Sequence, residues 1–356
     1  MSAKDLARPL TDTDLTDPLR LAIVNGIFQS NLTTEEFLSR DGGLSAWFRD
    51  WVEEQCPAAT NQVSAKTYQD LLQLLTCIQS HCQSKSRLEV TDQICAKFSS
   101  ANPVLASDPQ NAKLNASLTL AARLWLSISI DSLPHFFTPG YVIRWDSDQC
   151  LSDAVGKEFS PKSQSAETVK LPKVFTAANL EKIAGIQVQW TSNLADHLAL
   201  KDDDKTVMFF HQASFLELSR ESKMTLLNDD LIDETLRTIA LLIPANDPGS
   251  RKWFKNKRKG LSLDSKAGSY NAPNASERQI ERFQYWRDRL VILKQAFDDS
   301  EPSGIASWWY DDRKKVQWYT FWVAAAVLLL TVVFGLIQSI SGIVQAWAAV
   351  RALNTG

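Results

Sequence analysis

Two of the four histidines, His197 and His211, stand among carboxylates: Asp196 adjoins His197, and the run Asp202–Asp204 lies between them. A carboxylate and two imidazoles can hold a divalent cation, and an aspartate can orient a histidine as a general base. The spacing fixes no third ligand, however, and the sequence has no Gly-x-Ser-x-Gly, no HExxH and no phosphate-binding glycine loop. His197 follows Leu194 by three residues and adjoins Leu198, which puts it at the border of a core, and Asp202–Asp204 reads as a solvated turn. Asp196, His197 and His211 are therefore weak catalytic candidates, and a non-enzymatic role is preferred. Cys77, His81, Cys82 and Cys95 form a second constellation, but their spacing matches no zinc pattern. Tyr68, Leu71, Leu75, Ile78 and Cys82 recur at helical spacing, so Cys82 reads as small core filler. Neither metal nor cofactor is expected. Five cysteines at irregular spacing are no disulfide framework.

A third chemistry is electrostatic. Arg251, Lys252, Lys255, Lys257, Arg258 and Lys259 are six cations in nine residues, with Trp253 and Phe254 between them. They read as a solvated linker, as a lipid-binding patch for an anionic cytoplasmic leaflet at about 1 kcal/mol per basic residue, or as a nucleic-acid or nuclear-import patch. From Arg251 to Asp299 the net charge is +6, against −3 for the whole chain. That overall balance argues against a dedicated nucleic-acid binder.

Val316–Val350 carries no charge, and Phe321–Ile337 is apolar but for Thr331 and Gly335. A bilayer core of about 30 Å takes roughly 17–25 such residues as a helix. Five of the twelve tryptophans fall in the last 49 residues. Trp308, Trp309, Trp318, Tyr319 and Trp322 precede or open the run and Trp347 closes it, the placement of membrane-interface aromatics. We expect a transmembrane helix over 319–345 with a short tail at 346–356. Arg313, Lys314 and Lys315 before it, against a lone Arg351 after it, predict a cytosolic N-terminal part. Without a leader sequence this is a tail-anchored, single-pass topology, in which the sequons at Asn31, Asn115 and Asn274 stay unused. Gly335, Ser339, Gly342 and Ala346 recur at 4, 3 and 4, a stripe for helix–helix contact and a homo-oligomer.

The elements that must position these groups read as mainly α with a small α+β module. We expect a frayed N-terminus (1–17), a helical domain (18–140), the α+β module (141–245), a basic linker (246–275), an amphipathic helix (276–299) and a juxtamembrane aromatic and basic segment (300–318). Thr33 and Glu36 make a capping box; Gly42 and Gly43 break the helix; Trp47 and Trp51 stack at i, i+4; and Pro57 ends their helix. Leu71–Cys82 and Leu114–Ile130 are further helices, the latter central. Tyr141–Trp145 alternates like a strand. Helix 177–184, strand 186–190, helix 192–200, strand 206–211, helix 213–219 and helix 225–243 follow, with the two strands paired. A capped helix starts at Ser276.

The segments WTSNLADHL (Trp190–Leu198) and FFHQASFL (Phe209–Leu216), with the tail Trp308–Trp347, resemble a group of fungal proteins of uncharacterised role with a single C-terminal span. The resemblance covers roughly residues 140–350 and implies lineage and topology. A looser similarity is to CorA-like cation transporters, which have two spans and a Gly-Met-Asn loop that this chain lacks. Together these readings give a membrane-tethered cytosolic interaction module with the lipid bilayer and a protein as partners and no nucleic acid. The alternatives are a membrane-surface enzyme using Asp196, His197 and His211, and a subunit of an oligomeric transporter or pore.

Overall fold

The computed structural model describes residues 6–98, 112–132, 140–162, 169–222, 224–300 and 315–353. It has two units, Met1–Asp299 and Ser300–Gly356. In the first, the stretch expected to fray is packed from residue 6 onward. Leu10 and Leu15 are buried, the Leu10 N–H donates to Lys66 (2.9 Å), and the Tyr68 hydroxyl donates to the Asp12 carbonyl (2.9 Å). Helix α1 (Asp17–Phe28) starts on Pro18 and buries Leu19, Ile23, Val24, Ile27 and Phe28. Thr33 and Glu36 form the expected capping box on α2 (Thr34–Ser39). Gly42 and Gly43 have left-handed φ of 63° and 80°, so the helical path turns within α3 (Asp41–Trp47). A Cβ on Gly43 would meet the Phe37 ring at 2.7 Å.

A π-helical segment (Phe48–Glu53) and α4 (Gln55–Ala59) follow. Pro57 lies within α4 rather than ending a helix, in a first turn where its missing N–H costs nothing. The expected Trp47–Trp51 stack gives way to separate partners. Trp47 stacks on Phe215 (6.1 Å, 14°), and Trp51 donates to Gln212 Oε1 (3.2 Å). Helix α5 (Tyr68–His81) has a second capping box, Thr67 with Asp70, and α6 is Arg87–Phe98. Helix α7 (Ala112–Leu126) is buried continuously from Ala116 to Leu126 and is the centre of the helical part, as expected. It ends earlier than Ile130 because Ser127 takes a left-handed φ of 51°. Tyr141–Trp145 alternates in burial but forms only an isolated bridge, Ile143 to Ile130.

After α8 (Leu151–Glu158), α9 (Ala177–Lys182) stops before Gly185, whose φ is 71°. The sheet has β1 (Gln187–Thr191), β2 (Leu200–Lys201) and β3 (Thr206–Phe210) in the order β1-β3-β2. β1 and β3 pair in parallel with Val188 opposite Val207 and Trp190 opposite Phe209, and β2 is antiparallel to β3. The helix expected over 192–200 is a single 3-10 turn, Leu194–Asp196, followed by extended chain. Asp202, Asp203 and Asp204 all have left-handed φ (54°, 54°, 62°), which short polar side chains tolerate, so the acidic turn is a conformational choice. Helices α10 (Ala213–Glu221) and α11 (Asp229–Leu242, capped by Asn228) then return over the core.

The basic linker is instead helix α12 (Pro248–Gly260), capped by Asp247 and packed through Trp253 and Phe254. The domain boundaries expected at 140, 245 and 275 thus fall inside one unit. The helix expected from Ser276 begins only at Arg287, as α13 (Arg287–Asp299). Ile280, Phe283, Trp286, Leu290, Leu293 and Phe297 are all buried, but the backbone before α13 pairs elsewhere: Ile280 N–H with Val169 (2.9 Å) and Gln284 carbonyl with Lys162 N–H (2.9 Å). In the second unit, α14 (Lys315–Leu353) is one helix that continues past residue 345 into the expected tail.

Glu234, buried on α11, accepts the N–H groups of Gln284 (2.6 Å), Tyr285 (2.9 Å) and Trp286 (2.7 Å) and so caps α13 from another helix. Removing it leaves up to three donors unmet, at about 1–3 kcal/mol for each that water cannot reach. We expect Glu234→Ala to lower the unfolding free energy of the detergent-solubilised chain by about 3 kcal/mol, followed by tryptophan fluorescence in denaturant, and Glu234→Gln to cost less. Equal stability of wild type and Glu234→Ala would refute this capping role.

Candidate functional site

Asp196 and His197 sit where the chain leaves β1, and both are buried. Asn193 organises the turn. Its Oδ1 accepts the N–H groups of Ser129 (2.9 Å) and Ala195 (3.3 Å), and its Nδ2 donates to the Tyr141 carbonyl (2.8 Å) and to Asp196 Oδ2 (2.9 Å). Asp196 Oδ1 accepts the Tyr141 N–H (2.7 Å). Gly140 lies so close that a Cβ there would stand 2.0 Å from Asp196 Oδ2, with φ at +101°. Asp196 is thereby committed to joining residues 140–141 to the turn.

His197 Nδ1 accepts the Phe210 N–H (3.2 Å), which places its proton on Nε2, 2.7 Å from Thr238 Oγ1. The Thr238 hydroxyl passes its own proton to the Thr235 carbonyl (2.6 Å). Trp286 and Phe209 meet the imidazole edge to face at 4.9 and 5.3 Å. Burial, with the Arg289 charge behind it, holds His197 well below the ordinary histidine pKa. Arg289 Nη1 donates to the carbonyls of Ala195 and His197, both at 2.7 Å. A neutral, dry imidazole with both nitrogens engaged has nothing left for a substrate.

His211 faces a different set. It lines a cleft of about 630 Å³ with Arg49, Asp50, Glu54, Trp190, Ser192 and the Gly260–Leu263 loop. The cleft opens at the carboxyl ends of the parallel strands, where open α/β sheets commonly take ligands. His211 Nδ1 accepts the Asp264 N–H (3.3 Å), and its Nε2 lies 3.5 Å from Asp50 Oδ2. Asp50 also accepts from Gln212 Nε2 (3.0 Å) and Arg49 Nε (2.8 Å). Burial alone would raise the Asp50 carboxyl; its hydrogen bond to His211, with Arg49 beside it, leaves it below the ordinary range. Burial and the Asp50 charge raise Glu54. Among the described residues no hydroxyl or thiol is hydrogen-bonded to His211, whose nitrogens face the Asp264 N–H and the Asp50 carboxylate.

The structure thus separates His211 from the Asp196–His197 pair and joins it to Arg49, Asp50 and Glu54, which sequence reasoning missed. The only signal was a charged Arg-Asp pair inside the aromatic run from Trp47 to Trp51. Among the described residues no three of His, Cys, Asp or Glu converge as a metal site. The five cysteines are thiols, with Cys56 pushed up to about 12 by burial. Trp308 and Trp309 lie outside the described residues. Tyr319 and Trp347 are exposed on α14, Trp322 is half-buried, and the Arg351 guanidinium lies 5.1 Å over the Trp347 ring. Gly335, Ser339, Gly342 and Ala346 are exposed, and nothing stands within 4 Å of a Cβ built on Gly335 or Gly342. Of the basic set, Lys257 is ion-paired to Glu181 (2.8 Å), which leaves the other five outward. Comparison of the chain with family models, curated proteins and solved structures gives no match.

The depressed pKa of His197 has a defined sign. The unfolded chain takes up a proton below about pH 6.5 that the folded chain refuses, so stability falls as pH drops through that value, by up to about 1.4 kcal/mol per unit. Asp264, raised to about 6 chiefly by burial, works in the opposite sense as pH falls from 6 towards 4. The difference between wild type and His197→Asn isolates the histidine. We expect that difference in unfolding free energy to shrink from pH 7 to pH 5; a constant difference would mean that His197 titrates normally.

Proposed function

We propose that this chain is a membrane-anchored interaction module whose globular unit acts by contact on the cytosolic face. The carrying observation is α14. Tyr319–Arg351 is a run of 33 residues, long and apolar enough to cross a bilayer, and its apolar side chains are exposed rather than packed in a core. At 1.5 Å per residue it measures about 50 Å. Arg313, Lys314 and Lys315 on one flank outnumber Arg351 on the other and favour a cytosolic N-terminal unit. The likeness of residues 190–198 and 308–347 to fungal single-span proteins supports the same topology. The reading as an enzyme that draws on Asp196, His197 and His211 together is weaker, because the first two are consumed in structural bonds.

In sealed microsomes, the chain is expected to resist alkaline carbonate extraction, and external protease is expected to digest the unit before Lys315. Release by carbonate would remove the anchor; protection from protease, or glycans at Asn31, Asn115 or Asn274, would reverse the orientation.

The open stripe on α14 supports a self-contact, since small residues let helix backbones approach. We expect Gly342→Ile to reduce self-association in a membrane reporter assay while Val332→Ile, off the stripe, leaves it unchanged. A monomeric wild-type segment would make α14 an anchor only.

A further inference from the structure

Helix α12 carries a feature that the fold does not use. Its inward side is fixed by Ser250, Trp253, Phe254 and Lys257: Phe254 lies so close to Gly268 that a Cβ there would meet its ring at 2.4 Å, and Glu181 holds both Trp253 Nε1 and Lys257 Nζ at 2.8 Å. At 3.6 residues per turn, the other five cations fall within an arc of about 120° on the opposite side. Arg251, Lys252, Lys255, Arg258 and Lys259 are all exposed, and among the described residues no carboxylate lies within ion-pair distance of any of them. Lys257, one of the six cations in the run, shows the contrast: the fold neutralises the inward cation and leaves the outward five bare.

We infer that this face is a docking surface for anionic lipid headgroups. The inference rests on the membrane-anchored reading, because a unit tied to a membrane helix spends its time near the leaflet. Five unpaired charges spread over about 12 Å of one face of a rigid helix complement a diffuse negative surface, which needs no fixed donor geometry. The face has no aromatic side chain on which a base could stack, since Trp253 and Phe254 are turned inward. The whole chain is also slightly acidic, so the attraction is local to this helix.

The test uses the full chain in nanodiscs of phosphatidylcholine alone or with phosphatidylserine, and reads the acylation rate of each lysine by mass spectrometry. Lys157, exposed on α8, is the internal reference. With phosphatidylserine, Lys252, Lys255 and Lys259 are expected to react about fivefold or more slowly. High salt should abolish the protection as the screening length falls from about 8 Å towards 3 Å. Arg251→Gln, Lys255→Gln and Arg258→Gln combined should free Lys252 and Lys259, which remain as reporters on a helix whose buried side is untouched. Equal rates in the two lipids, or protection that survives the triple substitution, overturns the inference and leaves the face to an acidic protein. A chain that fails to enter nanodiscs overturns the anchored reading itself, before any labelling is read.

Discussion

Two parallel strands joined by fourteen residues impose the demand that shapes this protein. β1 ends at Thr191 and β3 starts at Thr206, and the connection must cross from one end of the strands to the other with residues 193–198 buried. A crossover of that length usually holds a helix, whose backbone satisfies itself. Here β2 takes part of the length, so the remainder has buried carbonyls and N–H groups that must find partners elsewhere. Arg289 takes the carbonyls of Ala195 and His197, Ser127 and Met208 take the N–H groups of Leu194 and Leu198, and Asn193 Oδ1 takes that of Ala195, while the Asp196 and His197 side chains tie the crossover to the N–H groups of Tyr141 and Phe210. The residues that look most like a catalytic cluster are thus the ones the topology consumes.

The same device recurs at other buried stretches of irregular chain among the described residues. Arg123, fully buried in α7, donates Nε to the Ile130 carbonyl at 2.7 Å and Nη2 to that of Asp131. Burial pulls its pKa down to about 10. Asp264 accepts the N–H of Ser214 (2.6 Å) at the start of α10 and the N–H of Lys266 (2.9 Å). In these cases, as with Glu234, a buried charge is hydrogen-bonded to backbone groups. Such bonds are stronger than neutral ones and tie distant segments together without the geometry of an ion pair. The result is one unit in which the helical and sheet-bearing parts share residues, which is why no boundary falls near 140.

The regular elements were legible because their signals are local. The capping box at Thr33, the glycine stop at Gly185 and the apolar stripe of α5 depend on residues within a few positions. The failures share a different cause. Residues 192–200 and 276–286 have helical spacing, yet long-range partners, Arg289 for the first and Glu234 for the second, satisfy their backbone in other conformations. The site suffered most. His211 was visible, but Asp50 lies 161 positions away, and no pattern in a single sequence links them.

Helix α12 shows how composition misleads and position informs. Six cations in nine residues resemble a linker because average polarity hides phase. Trp253, Phe254 and Lys257 are spaced to meet one face, and Asp247 with Pro248 gives that face a defined start. Once Glu181 takes Trp253 and Lys257, the helix cannot rotate, and the remaining cations are presented in a fixed direction whatever the solvent does. A flexible linker with the same charges would lose side-chain and backbone entropy on meeting a surface. A packed helix has already lost most of it in folding, so the attraction of each charge is offset far less by ordering.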